Sequence, residues 1–282
     1  MFFIPLYDEI ISKRRPTITW LIITICVLVF FWQLSLDAKT SQLALYQFGF
    51  VPAIVFNEES LPAGLSILHP WFTVFSSMFL HGGWIHLGSN VLYLWVFGDN
   101  VEDSMGPTKF VCFYLLCGTA ATFTHAMIDT SSTVPLVGAS GGIAGIIGAY
   151  LMLYPKAAVR CLLVIVIFIS FTNLPAWLVL GFWIVGQFVA LPLALDSGGG
   201  GIAYLAHIGG FFAGVTLIAF FKDKNLHFFS NNNRSTTPTG RRISYAEVKA
   251  NAQQRFGPKN GIKSSVLVPS TKKRSQQEGP WN

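Results

Sequence analysis

The sequence predicts an all-α polytopic membrane protein, a bundle of six transmembrane helices. Three observations carry that expectation. Of 282 residues, 52% are hydrophobic and only 11% charged, whereas a soluble domain carries about a quarter charged residues. A hydrocarbon core about 30 Å thick needs ~20 apolar residues of helix. Runs of that kind stand at 17–36, 84–104, 107–127, 138–154, 174–193 and 201–221. Finally, six spans place Lys13, Arg14, Arg15, Lys109, Lys156, Arg160 and the whole basic C-terminal tail on one side, with Lys39 alone on the other. Lys and Arg mark the cytoplasmic side, so both termini are expected there.

Residues 1–16 form a cytoplasmic N-terminal segment. The first span follows "SKRRPT" and is long, with no small-x-small cleavage site after it, so it reads as an uncleaved anchor. The outer loop at 37–83 contains "HPWFTVFSSMFLHGGW", aromatic and weakly charged, and is expected to lie in the membrane interface. Asp99, Glu102 and Asp103 read as a solvated inner turn. The run "VRCLLVIVIFISF" at 159–171 is too short to span. It is expected to be re-entrant or interfacial, because a seventh span would move the basic tail outside. Residues 223–282 read as a basic, mostly disordered cytoplasmic tail, suited to an anionic lipid surface; nucleic acid is not expected as a partner. With no transit-like leader before the first span, a bacterial plasma (inner) membrane is expected.

Cys26, Cys112, Cys117 and Cys161 all fall in apolar segments without CxxC or zinc spacing, so no disulfide, metal or cofactor is expected. Polar groups at membrane depth are costly and ask for a reason. Span two carries "HLGSN", with His86 and Asn90 four apart on one helix face. Span four opens on Ser140 and span six contains His207. Asn90 and His207 each lie roughly 9 Å below the outer end of their helix, with Ser140 near the same level. Glycines explain how these groups meet. Gly141, Gly145 and Gly148 on span four and Gly210 and Gly214 on span six form small-xxx-small faces that let backbones approach closely. His207 then takes the Ser140 proton, and Ser140 attacks a peptide carbonyl. The Ser140 N–H, the Asn90 amide and the His86 imidazole are candidate oxyanion donors.

Plainer readings stand beside this one. A lone serine in an apolar helix usually bonds back to its own backbone. His69, His81, His125 and His227 read as structural. Gly138–Ala–Ser140–Gly–Gly142 formally matches GxSxG, but the α/β-hydrolase elbow needs alternating strands and helices, which are absent from this pattern. A transporter using the same polar layer calls for an inverted repeat, and the two halves show no such self-similarity.

GxSG at the start of span four, HxxxN in span two and AHxGG in span six resemble the motifs of the rhomboid intramembrane serine proteases. The resemblance covers about residues 1–222, including "FIPLYDE", "SSMFLHGGWIHLGSN" and "FGDNVED". It implies a six-span rhomboid-like catalytic domain at 17–222 and a dyad of Ser140 and His207 without an aspartate. His86 and Asn90 would serve the oxyanion, with Gly138, Gly141, Ala206 and Gly210 as supporting motif positions and no cofactor. It further implies single-span transmembrane proteins as substrates, cut in or near the span. The alternative within the family is an inactive member that binds membrane clients. Two departures are visible. Trp71 is followed by Phe72 where many rhomboids have an arginine, and Ala144 stands where some carry an aromatic that stacks on the histidine. Tyr204, one turn before His207, is the sequence's candidate for orienting it.

Overall fold

The computed structural model describes residues 2–56, 59, 67–165, 168–196 and 202–230. They belong to one compact unit, Met1–Ser235; a second unit, Thr236–Asn282, lies outside the described residues, as does the rest of the tail beyond Ser230. Helices occupy each position where an apolar run stands: α1 (Thr17–Ser35), α5 (Trp84–Met105), α6 (Pro107–Ala126), α7 (Ser140–Leu153), α8 (Ala176–Asp196) and α9 (Ile202–Phe221). Between α1 and α5, the segment is built from the short helices α2 (Ala38–Phe48), α3 (Pro52–Val55) and α4 (Thr73–Ser76). Among the described residues, Thr17–Ser35 and Tyr204–Phe221 are long and apolar enough to cross a membrane, and Ser140–Leu153 and Ala176–Pro192 are shorter apolar helices.

Helix α7 is the centre. Every residue from Gly141 to Tyr150 is buried, as expected of a helix that is apolar all round and enclosed by its neighbours. Its glycines set how close those neighbours come. A Cβ on Gly210 would collide with the Gly141 carbonyl oxygen, one on Gly214 with that of Gly145, and one on Gly148 with that of Phe211. Thus α7 and α9 touch backbone to backbone, the approach that small residues allow.

The 159–171 segment, expected to be re-entrant or interfacial, is extended strand. It belongs to a hairpin of β2 (Ala158–Ile165) and β3 (Phe168–Pro175), and the N-terminal β1 (Phe2–Asp8) pairs antiparallel with β2, giving the order β1-β2-β3. Val159, Val164, Ile165, Ile169 and Phe171 are β-branched or aromatic, and such side chains fit a pleated surface better than a helix. Pro5 sits on an outer strand beside a register shift, where a missing N–H does no harm. Neither outer strand pairs with another strand among the described residues. An open sheet edge is not sustained in hydrocarbon, which argues against a re-entrant placement of this sheet and fits an interfacial one.

At the turn of α5 expected to be solvated, Asp99 and Asp103 are partly exposed but Glu102 is buried. Glu102 is 2% exposed and accepts from the backbone N–H of Ile18 (3.0 Å) and Thr19 (2.8 Å), and from both Thr hydroxyls at 17 and 19. It therefore supplies the cap that Pro16 cannot offer to α1. Asp103 accepts from the N–H of Lys13 and Arg14, and Asp99 from Ser12 Oγ. The start of the tail is held too. Asp223 pairs with Arg14 at 3.2 Å, and the N–H groups of Phe229 and Ser230 donate to the carbonyls closing α7.

Asp8, at the end of β1, joins this cluster by accepting from Asn100 Nδ2 at 2.9 Å and from the Tyr150 hydroxyl. Burial, reinforced by nearby Asp99, pushes its carboxyl up to about 7 from 3.8, against the lowering effect of the Tyr150 bond. The fold thus holds the Asp8 proton more tightly than the unfolded chain does. The associated stability is fully present below pH ~4 and lost as pH rises through about 7, a change of order 4 kcal/mol. Thermal midpoints measured from pH 4 to 8 should fall for the native protein. Asp8→Asn should remove that part of the slope.

Candidate active site

Four elements deliver polar side chains to one cavity of about 280 Å³, lined by His86, Ser89, Asn90 and Tyr93 of α5, Ser140, Ile143 and Ile147 of α7, Trp183 of α8 and His207 of α9. All four residues singled out by their shared depth are therefore neighbours. Among the described residues, no carboxylate lines the cavity.

Ser140 is the first residue of α7. Ser104, Thr122, Thr124 and Thr216 each donate to a carbonyl three or four residues back. Ser140 makes no such bond, because no helical turn precedes it. Its hydroxyl is spared the local bond that occupies most helical serines, and its own N–H is among the unsatisfied donors of the helix start. Gly138, two residues earlier, has φ +128°, a conformation other residues rarely adopt. A Cβ there would lie 2.6 Å from His86 Nε2 and 3.6 Å from Ser140 Oγ. Glycine at 138 is thus what lets His86 stand beside the serine. The Gly138 N–H donates to the Ser77 carbonyl at 2.8 Å, which fixes the loop to the outer segment.

The His86 tautomer follows from its other nitrogen. The Gly82 N–H donates to His86 Nδ1 at 3.3 Å. Nδ1 is therefore the acceptor, and Nε2 carries the proton that a developing anion would need. His81 stacks edge-on to His86 at 5.1 Å. Burial, with His86 adding to it, pushes His81 down to about 4, so it stays neutral at physiological pH.

Asn90 is 6% exposed and its Nδ2 has no hydrogen-bond partner. His207 Nε2 is likewise buried and unpartnered, so Ser140 and His207 share a cavity without a hydrogen bond between them. Each such orphan costs roughly 1–3 kcal/mol, and dyad hydrogen bonds are often long until substrate is bound. A hydroxyl free of local bonds, an imidazole with a bare nitrogen and three donors nearby together suit acyl transfer.

The supporting positions take distinct places. Gly141 packs against Ala121 and, through its carbonyl, against Gly210. Ala206 lines a small space beside Ser140 with Ser77 and Thr122. Tyr204 is not what holds the histidine. His207 Nδ1 instead lies 2.8 Å from Gln187 Oε1 on α8, and the Trp183 ring lies 5.6 Å from the imidazole. Gln187 escaped the sequence reading, yet a signal existed: it is the one polar side chain of α8 before the terminal Asp196, and intramembrane polar groups are functional by default.

Comparison with known proteins identifies the family. A family model described as Rhomboid domain matches residues 68–224. Rhomboid protease GluP of Bacillus subtilis is 32% identical over 142 residues, 50% of this chain and 25% of that protein. Rhomboid protease AarA of Providencia stuartii is 28% identical over 166 residues, 53% of this chain and 55% of its own. Rhomboid protein 1, mitochondrial, of Saccharomyces cerevisiae is 28% identical over 152 residues, covering 51% and 40%. The chain thus spans between a quarter and just over half of the length of these relatives. With more than half of its residues matched by the family model, this chain belongs to the rhomboid family and is a helical integral membrane protein.

Proposed function

We propose that the protein is an intramembrane serine endopeptidase that cuts single-span transmembrane proteins in or near their span, using Ser140 and His207. The observation that carries this reading is the single cavity shared by Ser140, His207, His86 and Asn90. His207 Nε2 takes the proton from Ser140 Oγ as the oxygen attacks the scissile carbonyl. The tetrahedral oxyanion accepts from His86 Nε2–H, Asn90 Nδ2–H and the Ser140 N–H. On collapse, His207 passes its proton to the leaving amine. Water, activated by His207, then hydrolyses the acyl-enzyme and frees Ser140.

The proposal includes six spans, α1 and α5–α9, with both termini on the Lys- and Arg-rich cytoplasmic side. It places them in a bacterial plasma membrane, in line with the two bacterial relatives. The 14 residues of α7 extend about 21 Å, less than a bilayer core. Its first residue is therefore recessed, and an irregular loop at that depth is tolerated only when enclosed by protein or lining a wet cavity. The exposed Trp71, Phe72 and Phe75 of the outer segment suit the interface, and the basic tail suits anionic lipid.

Purified protein in proteoliposomes should cleave a helical single-span substrate, and Ser140→Ala should not. Equal cleavage by both forms, or none by the native form, contradicts the proposal. Asn90→Ala should lower kcat by about 10²–10³-fold, the usual cost of one oxyanion donor, with little change in KM. Steady-state kinetics on the same substrate checks it.

A further inference from the structure

A histidine that takes a proton must keep one ring nitrogen bare and aimed at the hydroxyl, yet a free imidazole exchanges between two tautomers. Among the described residues of α9, none bonds to the His207 ring to select one. The selection comes from α8. Gln187 Nε2 donates to the Trp183 carbonyl one turn earlier, at 3.2 Å, and Gln187 Oε1 lies 2.8 Å from His207 Nδ1. The amide orientation follows from that pair of contacts. Turning it over would set its oxygen against the Trp183 carbonyl, two acceptors facing each other. The atom at His207 is therefore an acceptor, so Nδ1 carries the hydrogen and Nε2 keeps its lone pair. That nitrogen is the one without a partner, in the cavity that Ser140 lines. The Trp183 ring, tilted 39° to the imidazole, lies beside it from the same helix.

We propose that Gln187 is a positioning residue of the hydrolytic site, holding His207 in the Nδ1–H tautomer with Nε2 free for Ser140. In a serine triad a buried carboxylate does this work and also stabilises the imidazolium. Here a neutral amide sets the tautomer in a cavity with no carboxylate, which avoids an unpaired buried charge while His207 is neutral. The inference rests on the proposal that Ser140 and His207 form the dyad. It also explains how the site works with Ala144 where an aromatic would otherwise stack: the support has moved from α7 to α8.

Gln187→Met and Gln187→Glu separate this role from packing. Methionine keeps the length of the side chain and removes the acceptor. Glutamate, ionised or protonated, still presents an acceptor oxygen. In proteoliposomes with one transmembrane substrate, Gln187→Met should lose roughly 10–100-fold in kcat with KM within about twofold of native. Gln187→Glu should recover most of that loss, and both variants should melt near the native temperature. Native kcat in Gln187→Met, or an equal loss in both variants, overturns the proposal. The Ser140→Ala control keeps the two readings apart. If native protein does not cleave, the dyad falls and this role with it; if native protein cleaves and Ser140→Ala does not, a fast Gln187→Met sinks the Gln187 role alone.

Discussion

His207→Ala should abolish cleavage as completely as Ser140→Ala, by about 10⁴-fold or more, while leaving the helices folded. The reason is that nucleophile and base act as one unit: without Nε2 the Ser140 hydroxyl keeps its proton, and without Oγ the imidazole has nothing to activate. For the same reason the double variant should be no slower than either single one. His207 is partly buried at the cavity wall, with Gln187 and Trp183 beside it. Truncation therefore opens space in an existing cavity and does not disturb the α7–α9 contact. Single-turnover assays of the three variants, normalised to folded protein, measure this. Additive losses, or residual activity in His207→Ala near the native value, would mean that another group takes the proton.

The second large effect lies away from the chemistry. Gly214→Val should destabilise the protein by several kcal/mol and remove activity together with stability. A side chain at 214 meets the Gly145 carbonyl, carbon and α-carbon at contact distances no pair of atoms sustains. Because α7 is buried from Gly141 to Tyr150, that backbone has nowhere to go. Overpacking of a rigid interior ordinarily costs ~1–3 kcal/mol, more where the obstacle is backbone. Relief requires α9 to withdraw from α7, which carries His207 away from Ser140. Gly181→Ala and Gly186→Ala on α8 supply the contrast, since a Cβ at either meets nothing within 4 Å. They should be neutral or slightly stabilising through helix propensity. Thermal midpoints of the three variants in one detergent decide the matter.

The helices were legible because each long apolar run admits few alternatives to a helix. The close pair α7–α9 was legible because glycines at 141, 145, 210 and 214 recur at helical spacing. Equal distances from helix ends suggested one layer for Ser140, His207, His86 and Asn90, and the four line one cavity. What stayed hidden depended on long-range partners. The run at 159–171 is apolar without a clear period, and its strand state rests on pairing between β2 and β3 and on β1, more than 150 residues away. Glu102 looks like a surface acid until the bare N-terminus of α1 is set against it. The His86 tautomer depends on a backbone N–H at Gly82, which no residue type announces. Gln187 was visible as a lone polar residue, but its partner on α9 was not.

The most direct measurement is the site of covalent capture by a fluorophosphonate, which reacts with a serine only when a base has activated it. Native protein in proteoliposomes, treated with the reagent and mapped by mass spectrometry, should carry one adduct, on Ser140. His207→Ala should carry none. A preparation that cleaves its transmembrane substrate while Ser140 stays unmodified would contradict the Ser140–His207 dyad.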